Sequence, residues 1–314
     1  MIKKVSVIGI GAVGAIYAWR LSEYLGYPHV RVIVNQERLQ RYSKDGMYLN
    51  GTPIAYHYVT PKEEVEPADL ILIATKNQHM EQALDDISSH VGPNTIILSL
   101  LNGIDSERLL SERFGIDHVL YSFTTALDST RQGNNIDFST EGVIYFGERN
   151  NEQTPRIQAV SQLFETAKID YIVPENIERE LWAKFMVNVS INTISAITRA
   201  TYGDCANIPA IKELIIATQK EVLALAAKVG IVGLDDSYIT KYQNIFASLE
   251  YNGKTSMLQD IEAGRTTENN WFCIRASQLA QEYGVKTPLI DMLGTIAKGA
   301  EAVQVRLTQT PRLR

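Results

Sequence analysis

The chain has 314 residues, of which 45% are hydrophobic and 21% charged, and its formal net charge is −6 at pH 7. This length predicts two domains, and the acidic balance favours small molecules over nucleic acid or anionic lipid as partners. The two cysteines, Cys205 and Cys273, lie far apart without CxxC spacing. We therefore expect no disulfide framework, no metal site and a reducing, cytoplasmic location.

The N-terminal segment MIKKVSVIGIGAVGAIYA resembles a signal peptide, because basic residues precede an apolar stretch. The spacing of the glycines within this stretch explains the same residues better. No apolar run approaches the roughly 20 residues that a membrane helix needs. We expect a soluble protein that does not interact with membranes.

Short β-branched runs alternate with helix-compatible stretches in the first half of the chain. The runs are VSVIG (5–9), VRVIV (30–34), DLILIAT (69–75), TIILSLL (95–101) and VLYSFTT (119–125). Residues 134–148 suggest an extended pair of strands, interrupted at Gly142 and Gly147. Such alternation predicts a Rossmann-type, doubly wound parallel sheet, an α/β fold.

The second half reads as an all-helical domain. Helical segments are predicted at 178–200, 208–229, 236–250, 269–283 and 288–304, separated by glycine and proline. Pro174 marks the expected junction, which gives a dinucleotide-binding domain at 1–175 and a helical substrate domain at 176–314.

Three glycines, Gly9, Gly11 and Gly14, form G-x-G-x-x-G directly after the first predicted strand, with Ala12 and Val13 inside the motif. A tight strand-to-helix turn needs residues without a Cβ, and their absence lets a pyrophosphate approach the backbone N–H groups at the helix N-terminus. The context predicts a dinucleotide site. The alternative is that the glycines only make a turn.

The end of the second predicted strand bears on which nicotinamide cofactor is used. NAD sites usually place Asp or Glu there, but this chain has Asn35, followed by Arg38 and Arg41. Because no carboxylate repels a 2′-phosphate and guanidiniums lie nearby, NADPH is favoured over NADH. The two arginines also fit a solvated helix face.

Two further polar residues follow predicted strands, where open α/β sheets bind ligands. Lys76 can meet the ribose or phosphate of a cofactor, and Asn102, before Gly103, can bind a carboxamide or a substrate. The alternatives are a surface lysine and a simple Asn-Gly turn.

A polar row runs along the first long helix of the second half. Lys184, Asn188 and Asn192 recur every four residues, with Ser195 near the same stripe, among apolar neighbours. A buried stripe must find partners, so the row should face something polar, either a ligand or neighbouring helices. All five histidines lie in the first half, which leaves Lys184 as the candidate proton donor to a carbonyl.

These residues together resemble the ketopantoate reductase (2-dehydropantoate 2-reductase) family over nearly the whole chain. The resemblance rests on GIGAVG, TKNQ, LNG, WAKFMVNVSIN (182–192) and SMLQDIEAGRTTE (256–268). It implies NADPH-dependent reduction of 2-dehydropantoate to (R)-pantoate, a step toward pantothenate and coenzyme A, in an enzyme that is often a homodimer.

The resemblance also implies roles for individual residues. Gly9, Gly11 and Gly14 would hold the pyrophosphate; Lys76 and Asn102 would contact the cofactor, and Asn102 the substrate as well. Lys184 would donate the proton. Asn188, Asn192 and Ser256 would bind substrate, and Glu268 would lie near the nicotinamide ribose and the lysine. Asp260, Glu262 and Arg265 are expected to be structural, as a buried or interdomain ion pair.

The chain departs from the family pattern at three places. Asn35 stands where many members carry Arg, Leu101 stands where Gln often precedes Asn-Gly, and 269–274 reads NNWFCI. The bulky Trp271 and Phe272 bear on substrate identity more than on chemistry. Two other hypotheses therefore stay open: a reductase of another 2-oxo acid, and an NADP(H)-binding sensor without turnover.

Overall fold

The computed structural model describes residues 1–309, which divide into two compact units, Met1–Glu178 and a second that begins at Arg179. The first is an α/β unit with a parallel-dominated sheet, and the second is helical as far as it is described, which confirms the predicted fold class. Among the described helices, none is both long and apolar enough to span a bilayer.

The first unit is built on a ten-stranded sheet in the order β4-β3-β9-β8-β7-β6-β1-β2-β5, with β10 paired to β9. All strand pairs are parallel except β3–β4 and β8–β9. The strands are β1 Val5–Ile8, β2 Val30–Ile33, β3 Met47–Leu49, β4 Thr52–Ile54, β5 His57–Val59, β6 Leu70–Ile73, β7 Ile96–Ser99, β8 Val119–Gln132, β9 Asn135–Gly147 and β10 Tyr171–Ile172.

Helices of the first unit pack on this sheet. They are α1 Ala12–Leu25, α2 Gln36–Asp45, α3 Met80–Ile87, α4 Ser106–Phe114 and α5 Pro155–Thr166. Strands β1, β2, β6 and β7 are buried at every position, as expected of parallel strands covered on both faces. Their Val, Ile and Leu side chains form the core of this unit.

The segment 134–148 differs from the prediction of two strands. It is a single strand, β9, whose partner is the long antiparallel strand β8. Gly142 lies within β9 at a φ of +77°, and a Cβ there would come 2.8 Å from the Thr125 carbonyl oxygen. The glycine therefore relieves a close approach inside the hairpin instead of ending a strand.

The described part of the second unit consists of helices. They are α6 Ile177–Val187, which begins just before the unit boundary, α7 Thr193–Thr198, α8 Tyr202–Asn207, α9 Pro209–Val229, α10 Asp236–Ser248, α11 Ser256–Glu262, α12 Cys273–Tyr283 and α13 Pro288–Gln309. Residues Asn188–Asn192 form a π-helical turn between α6 and α7. The predicted helix at 269–283 is divided: Asn269–Trp271 is a 3₁₀ turn, and the backbone of Phe272 (φ −111°, ψ −96°) is not helical.

Candidate active site

Predicted cofactor residues lie along the carboxyl edge of the first unit's sheet. Strands β7, β6, β1 and β2 are adjacent, and their last residues are paired, Ser99 with Ile73, Ile73 with Ile8 and Ile8 with Ile33. The loops that follow carry, in the same order, Asn102, Lys76, the glycine turn and Asn35. Aligned parallel strands thus bring four distant segments to one edge, the place where such sheets bind ligands.

The glycine turn has the shape that a pyrophosphate needs. Gly9 has a φ of +92°, and a Cβ on it would lie 2.4 Å from the Ala74 carbonyl carbon. A Cβ on Gly14 would lie 2.2 Å from the Gly9 carbonyl oxygen, whereas a Cβ on Gly11 would meet nothing within 4 Å. Gly9 and Gly14 therefore serve close packing, and the open space at Gly11, directly before α1, fits a phosphate at the helix N-terminus.

Asn35 has a structural role at the start of α2. It is the N-cap residue, and its Oδ1 accepts a hydrogen bond from the Arg38 backbone N–H at 2.9 Å. Both residues are exposed. The Asn35 side chain therefore adds no charge at the end of β2, and any strong attraction for a phosphate must come from arginines.

A third arginine, missed in the sequence, lies near the glycine turn. Arg131, near the end of β8, donates to the Ile10 carbonyl oxygen and, at 3.0 Å, to the Tyr42 hydroxyl of α2. Arg131 follows Ile10 by 121 residues, and only the long β8–β9 hairpin brings the two together. No local spacing signals such a contact.

The loops after β6 and β7 are tied to each other. Asn77 Nδ2 donates to the Asn102 backbone oxygen at 2.9 Å, and Asn77 is buried. Lys76 is exposed and Asn102 is half-buried. Asn77 is a supporting residue that sequence reasoning did not single out, although it lies in the TKNQ motif.

A buried polar network lies behind the Asn102 loop. Ser106 Oγ donates to Glu107 Oε2 at 2.9 Å, Ser99 Oγ donates to Ser106 Oγ at 2.8 Å, and Ser122 Oγ donates to the Ser99 carbonyl at 2.8 Å. Burial raises the pKa of Glu107 to about 7, although hydrogen bonds to the carboxylate oppose the shift. Glu107 Oε1 has no hydrogen-bond partner.

In the second unit, three of the predicted substrate residues form one cluster. Asn192 Nδ2 donates to Asn188 Oδ1 at 3.1 Å and to Ser256 Oγ at 3.3 Å. Both asparagines are buried and Ser256, at the start of α11, is exposed. Asn188 Nδ2 is buried without a hydrogen-bond partner. The cluster therefore runs from the interior toward the surface and ends inside with an unpaired donor.

The π-helical turn explains why Ser195 leaves the polar row. A π turn holds one residue more than an α-helical turn, so the helix beyond it is rotated by about 100° from its regular course. Ser195 Oγ donates to the Ala200 carbonyl at 2.6 Å and accepts from Thr255 Oγ1 at 3.1 Å. Through these bonds Ser195 holds the end of α7 and the residue that caps α11.

Lys184 and Glu268 belong to this same unit. Lys184 lies in the last turn of α6, directly before the π-helical turn, and is half-buried. Glu268 is buried in the bend before the 3₁₀ turn. The bend is fixed by Thr267, whose backbone N–H and hydroxyl donate to Glu301 Oε2 at 2.9 and 2.6 Å.

The charged stretch at 256–268 is divided between a helix and this bend. Arg265 Nε donates to Asp260 Oδ1 at 2.7 Å, so the expected ion pair exists inside the unit. Glu262 pairs instead with Lys254 at 2.8 Å. The Thr255 hydroxyl caps α11 by accepting from Leu258 N at 3.2 Å.

The two bulky residues after Glu268 have different environments. Phe272 is fully buried, whereas Trp271 is half-buried. The adjacent Cys273 thiol donates to Thr193 Oγ1 at 3.3 Å, and burial raises its pKa to about 12. Phe272 and Cys273 are therefore core residues, and Trp271 is the one that a ligand could contact.

Fold and site together define the class of protein. A glycine turn at the carboxyl edge of a Rossmann-type sheet, joined in one chain to a helical unit with a half-buried lysine and buried amides, is typical of an oxidoreductase with a nicotinamide dinucleotide cofactor. Two family models match the chain: ketopantoate reductase PanE/ApbA over residues 5–151, and its C-terminal domain over residues 176–301. The chain belongs to the ketopantoate reductase family and is an oxidoreductase.

Individual relatives are distant but match over the full length. An uncharacterized oxidoreductase, YkpB, of Bacillus subtilis (strain 168) is 26% identical over 294 residues, 92% of this chain and 95% of its own. The 2-dehydropantoate 2-reductase of Archaeoglobus fulgidus is 25% identical over 301 residues, 96% of this chain and 99% of its own.

A solved structure shows the same fold. D-mandelate dehydrogenase with NADH and anilino(oxo)acetate superposes with a TM-score of 0.85 at 21% identity, covering 96% of this chain and 99% of that one.

Proposed function

We propose that this protein reduces a 2-oxo acid with NADPH, and that the acid is 2-dehydropantoate, giving (R)-pantoate for pantothenate and coenzyme A synthesis. The observation that carries the proposal is the buried Asn188–Asn192 pair, in which Asn188 Nδ2 has no partner inside the protein. A buried donor left unpaired costs about 1–3 kcal/mol, which an acceptor oxygen of a bound substrate would offset. A 2-oxo acid offers such oxygens on its carbonyl and carboxylate.

Each candidate residue has a chemical task in this reaction. NADPH supplies the hydride that adds to the C2 carbonyl carbon. Lys184 donates a proton from Nζ to the carbonyl oxygen as negative charge develops there, and Glu268 holds the lysine in position. Asn188, Asn192 and Ser256 orient the 2-oxo acid.

On the cofactor side, the residues divide by the part of the dinucleotide they serve. The pyrophosphate lies at the turn made by Gly9, Gly11, Ala12, Val13 and Gly14, in which Gly9 and Gly14 permit close packing and Gly11 leaves space for a phosphate. Asn35 and Arg38 lie at the adenosine ribose, and Lys76 and Asn102 contact the cofactor near its reacting end. We propose that Asn102 also contacts the substrate, and that Glu268 also binds the nicotinamide ribose.

NADPH oxidation tests this proposal directly. Purified protein should oxidise NADPH only when 2-dehydropantoate is present, with (R)-pantoate as the product. Lys184→Ala should lower kcat by orders of magnitude while NADPH still binds, because the lysine acts in the chemical step. Lys212→Ala, on α9 of the same unit, is the matched control and should keep full activity. Normal turnover of Lys184→Ala would remove the lysine from the mechanism.

A different 2-oxo acid is the second candidate substrate. D-mandelate dehydrogenase shares this fold with a bound anilino(oxo)acetate, and the half-buried Trp271 follows Glu268 by three residues. Comparison of kcat/KM over a panel of aliphatic and aromatic 2-oxo acids separates the two candidates. A better substrate than 2-dehydropantoate would replace it, and NADPH binding without turnover on the whole panel would favour the sensor hypothesis.

The proposed setting of this reaction is the cytoplasm, where NADPH and 2-oxo acids are available. A homodimer also stays a prediction, which light scattering of the purified protein would test. Apart from a possible second copy, the proposed partners are small molecules alone.

A further inference from the structure

Arg131 joins two elements that both belong to the cofactor edge of the sheet. Its Nη1 donates to the Ile10 carbonyl oxygen in the glycine turn, and its Nη2 donates to the Tyr42 hydroxyl of α2 at 3.0 Å. Its Nε donates to the Gly133 carbonyl at 2.8 Å, at the tip of the β8–β9 hairpin. A guanidinium has five N–H donors, so these three bonds leave one N–H on each terminal nitrogen.

Two more arginines share this environment. Arg41 Nη2 donates to the same Tyr42 hydroxyl at 3.2 Å, and its guanidinium carbon lies 5.0 Å from the centre of the Tyr42 ring. Arg131 lies 5.7 Å from the same centre. Arg38, one helical turn before Tyr42, adds a third positive charge.

The arginines around the Tyr42 hydroxyl lower its pKa. Burial alone would raise its pKa, but the hydrogen bond and charge of Arg131, the hydrogen bond of Arg41 and the charge of Arg38 together hold the pKa below its usual value. The first turn of α2 contains one carboxylate, Glu37, which the three guanidiniums outnumber. The excess of positive charge around Tyr42 favours the binding of an anion.

The position of Arg38, Arg41 and Arg131 indicates which anion would bind. In a Rossmann-type unit the pyrophosphate lies at the glycine turn and the adenosine ribose lies at the end of the second strand. Arg131 contacts the glycine turn itself and the helix that follows that strand. Asn35, the residue directly at this place, is neutral and caps α2.

We propose that Arg131, together with Arg38 and Arg41, binds the 2′-phosphate of NADPH and makes this chain select NADPH over NADH. The proposal rests on the proposed nicotinamide cofactor and deepens it. A planar guanidinium can offer its two remaining N–H groups to phosphate oxygens, and the charges of Arg38 and Arg41 add to the attraction.

A purely structural role for Arg131 makes a different prediction. If Arg131 only held the hairpin against α2, its loss would weaken the binding of NADPH and NADH equally, or would change the binding of neither. A phosphate ligand would affect NADPH alone. The decisive quantity is therefore the ratio of the two dissociation constants.

The test measures binding without any 2-oxo acid, so it does not depend on the identity of the substrate. Dissociation constants of NADPH, NADH, 2′,5′-ADP and 5′-ADP are measured by calorimetry for the wild type, Arg131→Gln and Arg131→Lys. The expected result for Arg131→Gln is a loss of about tenfold to hundredfold in affinity for NADPH and 2′,5′-ADP, with NADH and 5′-ADP changed less than about threefold. The affinities of Arg131→Lys for NADPH and 2′,5′-ADP should lie between those of the wild type and those of Arg131→Gln.

Arg113→Gln is the matched control, because it removes the same charge from an exposed helix position where Arg113 pairs with Asp85 at 3.0 Å. It should leave all four constants unchanged. Equal losses for phosphorylated and unphosphorylated ligands, or no loss at all, would overturn the proposal.

Thermal unfolding of each variant shows whether it folds. If Arg131→Gln does not fold, Tyr42→Phe is used instead, since it removes one anchor of Arg131 and keeps the ring. It should reduce NADPH affinity more than NADH affinity, and equal effects would again overturn the proposal. A wild type that binds 2′,5′-ADP selectively but reduces no 2-oxo acid would leave this proposal standing and refute the proposed reaction.

Discussion

The side-chain amide of Asn192 donates to Asn188 Oδ1 at 3.1 Å, while Asn188 Nδ2 is buried without a partner. The two asparagines thus have different tasks. Asn192 fixes the orientation of Asn188, and the Asn188 amide group is the one left to bind a ligand.

Loss of the Asn188 side chain should therefore damage substrate binding more than stability. In Asn188→Ala an unpaired buried amide disappears, which offsets part of the cost of the small cavity. We expect kcat/KM to fall by about tenfold or more, with Tm changed by only a few degrees. Asn244→Ala, an exposed amide on α10, is the control and should change neither quantity. Unchanged kinetics in Asn188→Ala would separate this amide from the substrate.

The three glycines of the turn should respond differently to an added methyl group. Gly9→Ala places a Cβ against backbone at positive φ, and Gly14→Ala places one against the Gly9 carbonyl, so both should lower Tm. Gly11→Ala meets open space and should keep Tm, but should weaken NADPH binding by about tenfold because the methyl occupies the phosphate's place. Thermal unfolding and calorimetry with NADPH separate the two effects. A stable Gly11→Ala variant with full NADPH affinity would refute this division.

The N-cap at Asn35 allows the cofactor preference to be changed without loss of the helix. Aspartate caps helices as well as asparagine, so Asn35→Asp should keep Tm while its carboxylate repels a 2′-phosphate and binds ribose hydroxyls. We expect the ratio of NADPH to NADH affinity to fall by about tenfold. Asn35→Ala loses the cap, at a cost of about 1 kcal/mol in unfolding free energy, without adding charge. If Asn35→Asp lowers Tm as Asn35→Ala does, the cap interpretation is wrong.

Glu107 should make stability depend on pH near neutrality. Its pKa is raised by burial to about 7 from an ordinary value of 4.5, so the folded state holds a proton that the unfolded chain releases. The free energy of unfolding should therefore fall as pH rises from about 4.5 to 7, by about 3 kcal/mol, and level off above that range. Glu107→Gln keeps the shape without the titration and should flatten this part of the curve. Denaturant unfolding at several pH values measures both, and parallel curves would show that Glu107 does not titrate there.

The parallel sheet and its glycine turn could be predicted from the sequence because their signals are local. Fully buried strands such as Ile96–Ser99 read as nearly continuous apolar runs rich in Ile, Leu and Val, and a glycine triplet after the first run marks the turn. The spacing of Asn188 and Asn192 is likewise a local signal, and the structure shows the two side chains in direct contact.

Features that depend on contacts between residues far apart in the sequence leave no local pattern from which to predict them. The strands of three residues or fewer, Met47–Leu49 among them, carry too little pattern to be recognised, and the contact of Arg131 with Ile10 depends on how a hairpin lies. A regular period of 3.6 residues puts Ser195 on the polar row, whereas the π-helical turn adds a residue and moves Ser195 off it. A side-chain periodicity cannot show a backbone irregularity that lies within it.

The π-helical turn sets the direction of the side chains that follow it in the same segment. A regular α-helix over these residues would rotate the part beyond Asn192 by about 100°, and Ser195 would lose its hydrogen bonds to the Ala200 carbonyl and the Thr255 hydroxyl. Thr255 caps the helix that begins at Ser256, so these bonds connect the segment of the two asparagines to the segment of the serine. A change that made the helix regular would therefore disturb the proposed substrate residues without replacing any of them.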